Sequence, residues 1–161
     1  MCKIHIAVDN SVLGDLVDPN LPDNKKKDNN AFLKIIELDH KGIFEIGIPD
    51  STTMIEELAS GNIKRQAVRK IMGPAYRVWP NLVNPEYNKI LDKQKDCLIK
   101  IMQDKDGIHS NYYLTTDYRY LRQFRAQLKK IREGCGITKE ILTPSEFLEK
   151  YNKKEIKVFL E

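Results

Sequence analysis

Residues 3–13 read KIHIAVDNSVL. Ile4, Ile6 and Val8 alternate with Lys3, His5 and Ala7, the period-two pattern of a strand that buries one face. The run then stops on Asp9. Residues 10–17, NSVLGDLV, have the spacing of a short helix capped by Asn10 or Ser11. The chain therefore begins with a strand that delivers a carboxylate to the start of a helix, and the rest of the sequence repeats that alternation.

A strand is expected at 43–48 (IFEIGI), where β-branched and aromatic residues cluster. Others are expected at 112–116 (YYLTT) and within KEILT, residues 139–143. Helices are expected between them. One covers 31–42 and is closed by Gly42. The next starts from Asp50 or Ser51 and runs to Ala59, and another spans 62–72, ending at Gly73-Pro74. A helix over 86–104 carries CLIKIM, apolar nearly all round and so placed in the interior. Helix 117–132 follows the third strand, and PSEFLEKY (144–151) puts Pro144 in a first turn.

Two segments read as irregular. Residues 18–30, DPNLPDNKKKDNN, form a polar loop whose three lysines are solvated or touch phosphate. Residues 74–87 carry Pro74, Pro80 and Pro85; Trp79 within them is a packing anchor or subunit contact, with base stacking the rarer use. The closing EIKVFLE, 155–161, is a last edge strand or a partner-binding tail. Strands alternating with helices predict an α/β fold: three layers, α/β/α, around a mostly parallel sheet of four or five strands with right-handed crossovers.

The totals narrow the function classes. A chain of 161 residues suits one domain. With 41% hydrophobic and 31% charged residues it is globular in composition. A net charge of +4 permits an anionic partner without demanding one. Cys2, Cys97 and Cys135 form no C-x-x-C pair and are odd in number, which suits a reducing cytoplasm. His5, His40 and His109 lack zinc-site spacing. No apolar run approaches the roughly 18 residues of a membrane span, and the N-terminus lacks a signal-peptide stretch. A cytoplasmic protein with no membrane partner is expected.

In parallel sheets, sites gather at the carboxyl ends of strands. Asp9 ends the first strand and Asp117 ends another, so both open onto one rim; each is equally placed to cap the helix that follows. In TTMIEEL, Met54, Ile55 and Leu58 form an apolar stripe, and Glu57 falls about 105° from its centre, flanking the buried side. Asp96 opens CLIKIM, where an unpaired charge is costly; Asp92, one turn earlier, is its rival.

With these acids named, the chain resembles the PIN-domain nucleases over roughly residues 3–150. VDNS gives an Asp ending a strand with a hydroxyl two residues on, Asp9 and Ser11. EEL gives the helical Glu57, DCLIKI gives Asp96 opening an apolar helix, and TTD gives Thr115 and Asp117. ILTPSEFLEKY is similar to the final strand-Pro-helix segment, around Pro144, Glu146 and Phe147. After T-x-D the family often carries another acid and a Phe; here stand Arg119 and Tyr120.

The resemblance implies a PIN-like nuclease domain over 1–150, with 151–161 as tail or edge strand. It implies a metal-dependent ribonuclease with Asp9, Glu57, Asp96 and Asp117 as catalytic acids. Asp9, Asp96 and Asp117 would bind the ion, Glu57 would ligate or orient the attacking water, and Ser11 and Thr115 would support from behind. Crowded carboxylates raise one another's pKa, and a divalent cation relieves the conflict; oxygen-only ligands favour Mg²⁺ or Mn²⁺. Arg119, Arg122, Arg125 and Lys129 share one face of helix 117–132 and would hold an RNA backbone, unless the face is merely solvated. Lys64, Arg65, Arg69 and Lys70 form a second such patch. Small members often act as the toxin of a toxin–antitoxin pair, which adds an antitoxin protein as partner; a homodimer is the other partner expected. The alternatives are a non-cleaving PIN-like binding module and a nuclease acting on DNA.

Overall fold

The computed structural model describes residues 4–49, 62–79, 112–119, 121–122, 125–126 and 140–156. Five strands form its sheet: β1 (Ile4–Val8), β2 (Phe44–Pro49), β3 (Val78–Trp79), β4 (Tyr112–Leu114) and β5 (Glu140–Leu142). Their order is β3-β2-β1-β4-β5, and every pairing is parallel. Among the described residues they are accompanied by helices α1 (Asn10–Leu16), α2 (Asp23–His40), α3 (Asn62–Met72) and α4 (Pro144–Asn152).

The alternation that predicts β1 also sets its faces. Ile4, Ile6 and Val8 join Phe44, Ile46, Ile48, Tyr112, Leu114 and Leu142 in one buried cluster. The helices close that face with Val12 and Leu13 from α1, Phe32, Ile35 and Ile36 from α2, and Phe147 from α4. Phe147 meets Phe44 and Tyr112 edge to face, each with ring centres 5.2 Å apart. Ala7, Tyr113 and Ile141 point the other way and are buried too. A sheet buried on both faces is the three-layer α/β/α arrangement, and it matches near-continuous apolar runs in parallel strands.

Helix ends follow local chemistry. α2 closes in a Schellman motif: Gly42, at φ +79°, donates to Asp39 O (2.8 Å), and Ile43 donates to Leu38 O (3.0 Å). α4 opens on a reciprocal capping box: the Thr143 hydroxyl accepts from Glu146 N, and Glu146 accepts from Thr143 N.

The structure departs from the sequence reading in three places. Residues 23–30 are the first turns of α2 and not a loop. Their buried side is polar, with Asp28 in place of an apolar residue, so no hydrophobic period marks it. Val78–Trp79 pairs as a two-residue strand inside the proline-rich stretch. The strand expected over 112–116 ends at Leu114. The helices expected over 50–59 and 86–104, the segment 157–161 and the Trp79 side chain lie outside the described residues. So does most of 117–132, whose described residues beyond Asp117 are helical.

β3 is too short to cover Ile46 of β2, and two side chains complete that edge. The Ile46 amide donates to Asp39 Oδ2 (2.7 Å), and Arg77 Nη1 donates to Ile46 O (3.2 Å). Arg77 also grips Asp39 bidentately, at 2.7 and 3.1 Å. This hydrogen bond to Asp39 is the main reason the guanidinium pKa lies above its ordinary value.

Candidate functional site at the β1–β4 crevice

The strand order reverses direction at β1. The chain first builds outward through β2 and β3, then crosses to the other side for β4 and β5. Ligand crevices in open parallel sheets form at such a switch point, beyond the carboxyl ends of the strands. Here that is the gap between β1 and β4, flanked by Asp9 and by Thr115, Thr116 and Asp117. Asp9 N donates to Leu114 O (2.9 Å) and Thr115 N to Leu142 O (3.0 Å), carrying both ladders one residue past their strands.

Strand parity brings the polar groups together. Ala7 pairs in register with Tyr113. Asp9 lies two residues past Ala7 and Thr115 two past Tyr113, so all share one sheet face. The Tyr113 hydroxyl donates to Asp9 Oδ1 (3.0 Å). Asp9 Oδ2 accepts from the hydroxyls of Ser11 (2.8 Å) and Thr115 (3.0 Å). Those two hydroxyls stand 3.3 Å apart and take backbone amides in turn: Thr116 N donates to Ser11 Oγ, and Asp117 N donates to Thr115 Oγ1, both at 3.1 Å. Thr115 thus touches both acids of the rim, through the Asp9 carboxylate and the Asp117 amide.

Asp9 occupies the N-cap position of α1, yet its side chain makes no cap bond. The capping explanation for this carboxylate therefore fails. Two of the other three buried aspartates among the described residues, Asp39 and Asp15, have a cation beside them. Asp39 has Arg77. Asp15 accepts from the Thr116 hydroxyl (2.6 Å) and faces Lys25 Nζ at 3.4 Å. Asp28 accepts from the hydroxyls of Tyr118 and Ser145, and from Ser145 N in the positive first turn of α4. Asp9 is 8% exposed, and among the described residues its side-chain partners are hydroxyls. Among the described residues no lysine or arginine pairs with it. The hydroxyls bring hydrogen bonds but no opposite charge, and they leave Oδ1 with a single donor among the described residues; a buried carboxylate in that state favours a cation beside it.

The remaining expected site residues lie in different settings. Asp117 is half-buried, two residues beyond Thr115. Arg119 and Arg122 are exposed on the helical stretch after it. Arg125 is tied down: Nε donates to Ile141 O (3.1 Å) and Nη2 to Glu146 (2.8 Å), so much of its donor fork serves β5 and the α4 cap. Arg69 sits over the Tyr76 ring, 5.0 Å from its centre. Glu57, Asp96, Asp92 and Lys129 lie outside the described residues, as do the side chains of Lys64 and Arg65. Among the described residues no group of three or more His, Cys, Asp or Glu side chains could hold a metal ion. Nor is any described helix long and apolar enough to cross a membrane.

Sequence reasoning missed Tyr113, Thr116, Asp15 and Asp28. Tyr113 was within reach, since strand parity places it on the face of Asp9 once β1 and β4 are neighbours. Asp28 was not, because its partners stand 90 and 117 residues away. Tyr118, next to Asp117, is anchored to Asp28; burial first, then this hydrogen bond, raises its hydroxyl pKa well above the usual value.

Compared with known proteins, the chain matches no family model, no curated protein and no solved structure.

Proposed function

We propose that the protein is a metal-dependent ribonuclease of PIN-like type, hydrolysing RNA phosphodiester bonds in the crevice between β1 and β4. The observation that carries this reading is Asp9: a buried carboxylate at the switch point of a parallel sheet, held on both oxygens by neutral hydroxyls. Its all-oxygen surroundings fit Mg²⁺ or Mn²⁺ better than zinc. A bound divalent cation would supply a Lewis acid for the phosphodiester and acidify a water.

The chain's own residues supply the rest. Asp9 and Asp117 would hold the ion from the two strand ends, with Asp96 and Glu57 joining them as the PIN resemblance implies. Ser11, Thr115 and Tyr113 fix the Asp9 carboxylate before any ligand arrives, so little reorganisation is left for binding. Arg119 and Arg122 lie exposed just past Asp117 and offer positive charge to a phosphate backbone. The same reading carries a cytoplasmic location, with an antitoxin or a second copy of the chain as protein partner.

The test is incubation of the full chain with fluorescent single-stranded RNA, and DNA in parallel, under Mn²⁺, Mg²⁺ or EDTA. RNA cleavage is expected with either metal and none with EDTA. Asp9→Asn and Asp117→Asn should each lower the rate on the order of 100-fold or more with unchanged circular dichroism. Cleavage surviving in EDTA, or unchanged in both variants, contradicts the proposal. Metal binding without cleavage of either nucleic acid points to the non-cleaving module instead.

A further inference from the structure

Away from the crevice, α2 and α4 lie side by side on the same face of the sheet. α2 returns to the start of β2 and α4 leaves the end of β5, so both run antiparallel to the strands and parallel to each other. Between them is an open groove of about 500 Å³. Each helix presents one stripe to it: Lys27, Ala31 and Lys34 from α2, and Ser145, Leu148 and Asn152 from α4. Both stripes span i to i+7, two turns of one helix face. The apolar lining is half-buried Leu148 on α4 with the largely buried Ala31, between the lysines in sequence, on α2.

Charge distinguishes the two walls. On α4, Glu149 is bonded to Lys153 (3.0 Å), which holds its carboxyl below the usual range. On α2, Lys27 and Lys34 are exposed; neither makes a direct ion pair among the described residues, though the charge of Lys27 is felt by Glu149 across the groove. The groove therefore combines an apolar middle with two exposed lysines one helical face apart, and its one carboxylate among the described residues, Glu149, is already bonded to Lys153. Among the described residues no aromatic side chain lines it, and Glu149 stands in one wall. Single-stranded nucleic acid is bound chiefly by aromatic stacking in basic channels, so this lining does not suit it.

We propose that this groove docks an acidic amphipathic helix from a partner protein. Aliphatic side chains of that helix rest on Ala31 and Leu148, and its carboxylates, spaced about two turns apart, reach Lys27 and Lys34. The surface is independent of the crevice chemistry, so it stands whether or not the chain cleaves RNA.

The test is selection of a phage-displayed random 15-residue peptide library on the full chain. Enriched peptides are expected to carry aliphatic residues at helical spacing with Asp or Glu on either side. A synthetic peptide from that set should lose about tenfold or more in affinity for the Lys27→Glu/Lys34→Glu double variant, measured by fluorescence anisotropy. Lys27→Gln/Lys34→Gln should fall between, and circular dichroism should show all three chains equally folded. Enriched peptides that are neutral or basic, or that bind wild type and charge-reversed chain alike, overturn the proposal. So does displacement of the peptide by an equimolar poly-uridine oligonucleotide, or occupation of the groove by a second copy of the chain in sedimentation.

Discussion

The Tyr113 hydroxyl stands 3.0 Å from Asp9 Oδ1 and donates to it, so the carboxylate that ends β1 is held from the neighbouring strand β4. Both residues are buried. The bond ties the two sides of the crevice together beside the last ladder bond, from Asp9 N to Leu114 O.

Tyr113→Phe removes that donor and nothing else of the ring. Hydrogen bonds to a charged group contribute about 1.5–3 kcal/mol, so urea denaturation should show a loss in that range. An unchanged midpoint would mean that water or another donor takes over at Asp9 Oδ1.

The sheet edge gives a larger effect. The Asp39 side chain is 1% exposed, and Arg77 is its bidentate partner. Arg77→Ala leaves a buried carboxylate uncompensated and should cost about 3–5 kcal/mol. Arg77→Lys keeps the charge but loses the fork that also reaches Ile46 O, and should fall between. Equal stability of all three would show that the edge is held by β3 alone.

Tyr118 predicts an alkaline signature. Its pKa is raised in the fold, so its contribution is complete below its unfolded value of 10.0 and is lost as pH climbs above that. Stability measured from pH 8 to 11 should fall less steeply in Tyr118→Phe than in wild type over the alkaline end. Parallel slopes would mean that the hydroxyl titrates normally.

How much of this could be read beforehand depends on where each residue's partners lie. β1 and the Asp9 turn were legible because alternation and a terminal carboxylate are adjacent in sequence. So was α4, whose Thr143, Pro144 and Glu146 cap one another within four residues. Helix α3 carries its period and its stop, Gly73-Pro74, side by side. The first turns of α2 were not legible, because Lys25 and Asp28 look like solvated loop residues until Asp15, Tyr118 and Ser145 are folded against them. β3 has only two residues and exists through β2. Within the crevice, the acid and hydroxyl positions came from short patterns, but the hydroxyl shell around Asp9 required knowing that β1 and β4 are neighbours.

The central claim is that Asp9 waits, among neutral hydroxyls, for a cation. Mn²⁺ binding followed by electron paramagnetic resonance on wild type and Asp9→Asn tests it without any substrate. Wild type should take up Mn²⁺ and the variant should lose most of that uptake while melting, in EDTA, no lower than wild type. Equal uptake by both chains, or none by wild type, would contradict the account.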